Sequence, residues 1–242
     1  MSVLILGHRG MLGSMVQRFF AYRGVEIETL EFRFPSEEFQ DHIRNSRSSF
    51  LINCIGAIPQ KTSTFSSNVD LPRFLLNNYS GRIIHPGTDC EIDSDEYGLS
   101  KKAATDLILS YPQPNTKIIQ TSIIGPELSG HKSLLDWFLL GKKETAILGY
   151  TNQFWNGVTT LEWAKVAYSF IENWESFKRK TVIGSDCISK FELLTLIEDT
   201  FQTGQTISPH SIENELNKCL SLDIKKSPIK EQLIELKEFI TT

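Results

Sequence analysis

The sequence has little excess charge and few cysteines, and both features narrow the possible functions. Its 242 residues include 25 Lys and Arg against 29 Asp and Glu, a formal net charge of −4. No basic face is implied, so nucleic acid is not an expected partner. The cysteines are far apart and form no CxxC pair, which suggests neither a disulfide framework nor a zinc site, and we expect no metal. They are Cys54, Cys90, Cys187 and Cys219.

Long hydrophobic runs are also missing. No apolar stretch approaches the roughly 18 residues that cross a bilayer, and the chain starts without the basic segment of a signal peptide. We therefore expect no membrane partner and a cytoplasmic location. Hydrophobic residues at 40% and charged residues at 22% are typical of a globular protein.

What is present is an alternation of short apolar runs with helical patterns. Residues 3–6 form a nearly continuous apolar run, as expected of a central parallel strand buried on both faces. Further strands are predicted at 25–32, 50–55, 82–85 and 117–124, and helices at 11–22, 37–45, 70–78 and 97–110. The alternation predicts an α/β protein with a Rossmann-type, doubly wound parallel sheet.

The pattern changes after residue 126. Helices are predicted at 134–140, 161–174, 191–201 and 229–240, with a short strand at 181–184 and a polar loop at 202–211. We interpret residues 1–126 as a dinucleotide-binding core and 127–242 as mostly a small substrate-binding segment with returns to the core. Ligands of open α/β sheets bind at the carboxyl edge of the strands, where this segment is expected.

A glycine-rich turn follows the first predicted strand, with Gly7, Gly10 and Gly13 at i, i+3 and i+6. The first glycine allows a tight exit from the strand, the second lets backbone approach a phosphate, and the third permits close packing of helix on strand. Met11 and Leu12 begin the predicted helix, whose free N–H groups and positive dipole end suit a pyrophosphate. The position between strand and helix favours a dinucleotide site over a purely structural turn.

Two arginines favour one of the two nicotinamide dinucleotides. Arg9 lies inside the turn, and Arg33 follows the second predicted strand. An arginine at that place suits the 2′-phosphate of NADP, because its guanidinium pairs with phosphate oxygens. We therefore expect NADP(H), with NAD(H) possible because Glu31 is nearby; a solvated surface charge is the alternative for Arg33.

A tyrosine and a lysine stand four residues apart at Tyr97 and Lys101, so they share one face of the predicted helix. The lysine, together with a cofactor ribose, would favour the phenolate and lower the pKa of the tyrosine. The phenol would then serve as proton donor to a carbonyl oxygen, or as base in reverse. Thr88, just past the fourth strand, is placed to hold the substrate oxygen, unless its hydroxyl only caps a turn.

Together these residues resemble the extended short-chain dehydrogenase/reductase family over nearly the whole chain. The likeness is strongest to its sugar-nucleotide reductases, typified by dTDP-4-dehydrorhamnose reductase. The matching stretches are the glycine turn and residues 52–56, 68–72, 88–90, 97–101, 121–125, 155–162 and 189–194. The resemblance implies NADP(H)-dependent reduction of a keto group, expected at C4, of a nucleotide-activated deoxysugar in cell-surface polysaccharide biosynthesis.

The resemblance also implies the roles of particular residues. The catalytic trio is expected to be Thr88, Tyr97 and Lys101, of which the last two also contact the cofactor. Cofactor contacts are further implied for the glycine turn and for the segment after the third strand, Cys54, Ile55 and Gly56. A nucleotide-diphosphate sugar would bind residues of both segments, for which we predict Thr88, Asp89, Cys90, His131, Trp155 and Asn156.

Two other functions stay open. The turn is also similar to that of GDP-fucose synthase, an epimerase-reductase that uses a Cys and a His, and Cys90 and His131 fall near the equivalent places. Alternatively, Cys90 is a small buried residue and His131 an ordinary loop residue. The third possibility is a non-catalytic NADP-binding sensor or partner protein.

One departure from the family concerns the connection between Cys90 and Tyr97, which has only six residues. The family usually has a long loop there that helps to wall the sugar site. A short loop leaves the site more open or filled by another segment, and puts the substrate in doubt. The helices at 70–78 and 97–110 are candidates for a homodimer interface, although their apolar faces could equally belong to the core.

Overall fold

The computed structural model describes residues 1–141 and 146–241, which divide into two compact units. The first comprises Met1–Gln120 and Ala164–Thr181, and the second comprises Thr121–Trp163 and Val182–Thr242. The first stretch of the first unit ends at Gln120, and this unit resumes at Ala164.

The described elements are, in chain order, β1 Ser2–Leu6, α1 Met11–Tyr22, β2 Glu26–Thr29, α2 Glu37–Asn45, β3 Phe50–Asn53, α3 Ser67–Asn78, β4 Arg82–Gly87, α4 Glu96–Ser110, β5 Thr116–Gln120, β6 Ile123–Ile124, α5 Leu134–Leu140, β7 Ile147–Tyr150, β8 Gln153–Trp155, β9 Val158–Thr159, α6 Thr160–Glu172, β10 Lys180–Gly184, β11 Ile188–Ser189, α7 Lys190–Phe201, β12 Ile207–His210, β13 Leu216–Asn217, β14 Ile224–Lys225 and α8 Ile229–Thr241. Short 3₁₀ helices span Asp89–Ile92 and Trp174–Ser176. None of the helices described is both long and apolar enough to cross a membrane.

The central parallel sheet has the strand order β14-β10-β5-β4-β3-β1-β2. Strands β3 and β5 are buried at every position, and β1 at all but its first, so their apolar runs reflect burial on both faces. Helices flank the sheet, and the predicted Rossmann-type α/β fold is confirmed. Strands β4, β3 and β1 are neighbours in the sheet, so their carboxyl ends lie side by side. The predicted cofactor residues of the glycine turn and of the segment after β3 follow two of these ends, and Thr88 follows the third.

Two predicted strands differ from the structure. The run at 25–32 yields only β2, because this strand forms the sheet edge and the chain then turns toward Pro35. The run at 117–124 is divided, since β5 ends at Gln120 and β6 pairs with β9 instead of continuing in the central sheet. Continuous hydrophobicity does not reveal where a strand changes partners.

The second unit contains small sheets, β11-β8-β13, β12-β7 and β6-β9. Strand β12 falls in the segment predicted as a polar loop; it pairs in parallel with β7 and contains Pro209. The expectation of no disulfide was wrong, because Cys187 and Cys219 are bonded, with their Cα atoms 5.8 Å apart. Strands β11 and β13 both pair with β8, and this brings the two cysteines together across 32 positions of sequence.

Candidate cofactor and catalytic site

The glycine turn has the close backbone contacts that its spacing predicted. Gly7 has φ +74°, which favours glycine, and a Cβ there would lie 2.9 Å from the backbone of Cys54. A Cβ on Gly13 would overlap the carbonyl oxygen of Gly7. The Gly10 N–H donates to that same carbonyl at 2.9 Å, which closes the turn.

Helix α1 begins immediately after the turn. Its N-cap is Gly10, and no side chain caps the helix. The backbone N–H groups at the first helical residues, Met11 and Leu12, therefore have no side-chain acceptor and can receive an anion. A cradle that a Cβ would fill, followed by an uncapped helix start, fits the pyrophosphate of a dinucleotide.

A small charged group lies beside the turn. The carboxylate of Glu31 pairs with Arg9 and is 3.2 Å from Nε2 of His8. Arg33 is exposed and, within the part of the chain that the structure describes, forms no ion pair. The two arginines predicted for the 2′-phosphate thus differ: Arg9 is already paired, whereas Arg33 is available.

The loop after β3 is held by side chains from two strands. Asn53 accepts a hydrogen bond from the Ile55 N–H at 3.2 Å through its Oδ1. Its Nδ2 lies 3.3 Å from Nδ1 of buried His85 on β4. The Cys54 N–H donates to the carbonyl of Leu6 at 3.0 Å, so this loop adjoins the end of β1. Burial raises the pKa of the Cys54 thiol, which is therefore protonated at neutral pH.

Asn68 joins this loop to the helix that carries the Tyr–Lys pair. Its amide accepts from the Ala57 N–H at 2.8 Å, donates to the Ala57 carbonyl at 3.0 Å and donates to Oγ of Ser100 at 3.0 Å. The Ser100 hydroxyl in turn donates to the carbonyl of Tyr97 at 2.7 Å. Asn68 was not among the predicted site residues; the only signal for it was its position in residues 68–72, one of the stretches that resemble the reductase family.

Thr88 follows β4 directly and caps the next 3₁₀ helix. Its Oγ1 accepts from the Cys90 N–H at 3.2 Å and lies 3.0 Å from the carboxylate of Asp89. The capping alternative is therefore observed, but it does not remove Thr88 from the site. Its hydroxyl also acts on Tyr97, because hydrogen bonding to the phenol oxygen lowers the pKa of that phenol.

Tyr97 is expected to lose its proton less readily than a free tyrosine. Burial raises the pKa of its phenol, the negative charges of Cys90 and Asp89 raise it further, and the hydrogen bond with Thr88 lowers it. The protein groups thus act opposite to the lowering expected from Lys101. A phenol that keeps its proton is a donor to a developing alkoxide.

Lys101 is buried and lies one helical turn after Tyr97. Its Nζ donates to the carbonyl of Pro86 on β4 at 3.2 Å. Burial lowers the pKa of this ammonium, and the charges of Glu91 and Cys90 raise it. The structure therefore brings Thr88, Tyr97 and Lys101 to the end of β4 and the first turns of α4.

The short connection between Cys90 and Tyr97 is ordered by local contacts. Asp95 caps α4 by accepting from the Gly98 N–H at 2.6 Å. A Cβ on Gly98 would overlap the carbonyl of Cys90 and lie 2.8 Å from that of Asp93. Glycine at this position lets the 3₁₀ helix pack directly on α4.

The remaining predicted sugar-binding residues lie in the second unit. His131 is half-exposed with φ 48°, and its Nδ1 is 2.8 Å from the buried carboxylate of Asp136. Trp155 is buried. The side-chain amide of Asn156 makes two 2.9 Å hydrogen bonds with the backbone of Leu220. Of these three, His131 has the exposure that a ligand contact needs.

Residues 1–141 and 146–241 contain no group of three or more His, Cys, Asp or Glu that could hold a metal ion. A groove of about 720 Å³ is lined by residues of β2, α2 and the segment before β3, including Glu28, Asp41 and His42. It contains none of the predicted site residues.

Solved enzymes that act on sugar nucleotides have a similar fold. A dTDP-4-dehydrorhamnose reductase from Bacillus anthracis, solved with NADP, has a TM-score of 0.79 at 17% identity, covering 100% of this chain and 99% of that one. Another from Clostridium acetobutylicum has a TM-score of 0.76 at 16% identity, with full coverage of both chains. A GDP-L-fucose synthetase from Naegleria fowleri has a TM-score of 0.71 at 11% identity, covering 99% and 92%.

No protein-family model and no curated protein sequence matches this chain. The structural likeness confirms the predicted Rossmann-type α/β fold. At these identities the likeness concerns the fold, so the activity has to be argued from the site.

Proposed function

We propose that this protein is an NAD(P)-dependent oxidoreductase that reduces a keto group, at C4, of a nucleotide-activated deoxysugar. The observation that carries the proposal is the group formed by Thr88, Tyr97 and Lys101. Their helix is linked through Ser100 and Asn68 to the loop after β3. The expected setting is cytoplasmic assembly of cell-surface polysaccharide, and α3 and α4 are the candidate helices for a homodimer interface.

The glycine turn and the start of α1 would hold the pyrophosphate of the dinucleotide, which supplies the hydride when bound. We propose NADP(H), with NAD(H) as a weaker ligand. Arg33 has no competing ion pair among the residues that the structure describes and would take the 2′-phosphate, whereas Glu31 occupies Arg9 and would disfavour a second negative charge.

The protein residues would position the substrate carbonyl and supply its proton. The Thr88 hydroxyl would orient the carbonyl oxygen, and Tyr97 would donate its Oη proton as that oxygen becomes an alkoxide. The raised pKa of Tyr97 favours the donor form. The Lys101 ammonium, anchored on the Pro86 carbonyl, would favour negative charge on the phenol oxygen after transfer.

Consumption of NADPH with a panel of 4-keto sugar nucleotides tests this proposal. Tyr97→Phe should reduce turnover by about 100-fold or more, the usual loss when a general acid is removed, with little effect on NADPH affinity. Tyr22→Phe, at a tyrosine that is 76% exposed, is the matched control. Full turnover by Tyr97→Phe would contradict the assignment, and NADPH binding without turnover on any sugar would favour the non-catalytic alternative.

A second candidate is an epimerase-reductase that also uses Cys90 and His131. Asp136 accepts the proton on Nδ1 of His131, which leaves Nε2 of this half-exposed ring as a base. Positive φ at a non-glycine residue is the kind of strain found at functional sites. Reaction in D₂O should then place deuterium on a carbon next to the keto group, and His131→Gln should abolish this exchange while reduction continues. Exchange that persists in His131→Gln would exclude this role.

A further inference from the structure

Glu91 is a buried carboxylate that the proposed mechanism does not use. It lies in the 3₁₀ helix that Thr88 caps, and only 8% of the residue is exposed. A buried carboxylate is costly unless hydrogen-bond donors or positive charges surround it. Its partners therefore show what this residue holds in place.

The two oxygens of Glu91 contact three elements of the first unit. Oε1 accepts from the Thr88 N–H at 3.2 Å and from the Thr105 hydroxyl on α4 at 3.0 Å. Oε2 is 3.4 Å from Nζ of Lys180 on β10. One side chain thus joins the end of β4, the middle of α4 and the start of β10.

The hydrogen-bond partners of Glu91 adjoin Lys101: Thr105 lies one helical turn after it on α4, and Thr88 lies two residues after Pro86, whose carbonyl holds the Lys101 ammonium. The charge of Glu91 therefore acts on Lys101. Burial lowers the pKa of Lys101, and the charge of Glu91 is the larger of the two effects that oppose it, the other being Cys90. The titratable groups that bear on this pair are Lys180 on β10, Asp89 and Cys90 beside Glu91 on the 3₁₀ helix, and His85 on β4. Burial lowers the pKa of His85, so its ring is neutral.

We propose that Glu91 is a positioning residue whose hydrogen bonds hold the Thr88 turn and whose negative charge maintains the ammonium of Lys101. Glu91 acts through these two residues and has no contact with the reacting atoms. The inference rests on the proposed function, because it concerns the same trio. It also assigns a task to the short connection before Tyr97, which carries this carboxylate into the protein interior.

Glu91→Gln is the decisive variant, because it keeps the shape of the side chain and removes its charge. The titration of Lys101 can be followed by NMR of ¹³C-labelled lysine side chains, with Lys101→Met to assign the signal. The midpoint should fall by about one pH unit, as expected when a close partner charge is lost. Glu96→Gln, an exposed position in the first turn of α4, should leave it unchanged. An unchanged midpoint in folded Glu91→Gln would overturn the proposal.

Lys180→Met serves if Glu91→Gln does not fold. Without the charge of Lys180, the negative charge of Glu91 acts on Lys101 without a competing cation from β10. The pH midpoint of the Lys101 titration should therefore rise. A midpoint that stays at the parental value would equally overturn the proposal.

Kinetics then separate positioning from support of the fold. With a substrate that the parent reduces, Glu91→Gln should lower kcat by about threefold at a pH midway between the two midpoints, since a shift of one pH unit lowers the ammonium fraction there from about three quarters to about one quarter. KM for NADPH should change by less than about twofold. The titration needs no substrate, so its outcome decides the role of Glu91 even if no sugar nucleotide is reduced, whereas a silent substrate panel counts against the proposed function alone.

Discussion

The cofactor side of the first unit and the second unit are organised by different kinds of contact. Around the glycine turn, backbone packs against backbone. A Cβ on Gly7 would lie too close to the backbone of Cys54, and a Cβ on Gly13 would overlap the carbonyl oxygen of Gly7. In the second unit, side chains join distant segments, as in the Cys187–Cys219 disulfide and the bonds of Asn156 to Leu220, 64 positions away. The first arrangement leaves a space that a ligand can fill, whereas the second uses its polar groups internally.

The largest expected effect comes from Gly13→Ala, which tests the backbone packing of the turn. The new Cβ would overlap the carbonyl oxygen of Gly7 and lie 3.0 Å from the Cα of His8. Since backbone cannot yield as a side chain does, we expect a loss of about 3 kcal/mol in unfolding free energy and abolished NADPH binding. Denaturant unfolding and fluorescence titration measure these.

Gly56→Ala is the matched control for that substitution. Its Cβ would lie 3.7 Å from Oδ1 of Asn68, an ordinary contact, so we expect a change below about 1 kcal/mol. Equal losses in the two variants would show that close approach at the turn is not what makes Gly13 necessary.

The next effect concerns the cross-link of the second unit. The double variant Cys187→Ser, Cys219→Ser opens a loop of 32 positions, which should cost about 2–4 kcal/mol through the entropy of the unfolded chain. Thermal unfolding of this variant against Cys90→Ser, at a cysteine that forms no disulfide with a described residue, measures it. Identical midpoints would mean that the disulfide contributes nothing beyond the contacts of β8.

The same contrast explains how far the sequence could be interpreted. The glycine turn and the Tyr97–Lys101 pair are local patterns, so their spacing predicts both the element and the chemistry. The roles of Asn68 and Glu91 depend on hydrogen bonds to residues 32 and 14 positions away in the sequence. A spacing pattern in the sequence does not predict such pairs. The disulfide was missed for the same reason, because strand β8 brings its cysteines together.

Asn156 provides a smaller test of whether the second unit spends its polar groups on structure. Asn156→Ala would leave the N–H and carbonyl of Leu220 without their partner, at a cost of about 1–3 kcal/mol. Asn217→Ala should cost less, because Oδ1 of this exposed residue at the end of β13 accepts only one hydrogen bond among the described contacts, from the Cys219 N–H. A raised KM for the sugar nucleotide with unchanged stability would instead favour the ligand contact predicted from the sequence.

The smallest expected effect concerns the choice between NADPH and NADH in the first unit. Arg33 is exposed and unpaired among the described residues, so Arg33→Ala should leave stability within about 0.5 kcal/mol. NADPH affinity should fall by about tenfold, as when one charge-assisted hydrogen bond is lost, while NADH affinity stays constant because its ribose has no 2′-phosphate. Arg47→Ala, at another exposed arginine of the same unit, controls for net charge. A parallel loss for both cofactors would place Arg33 at the pyrophosphate or adenine, and Glu31 would then be the residue to examine for discrimination between them.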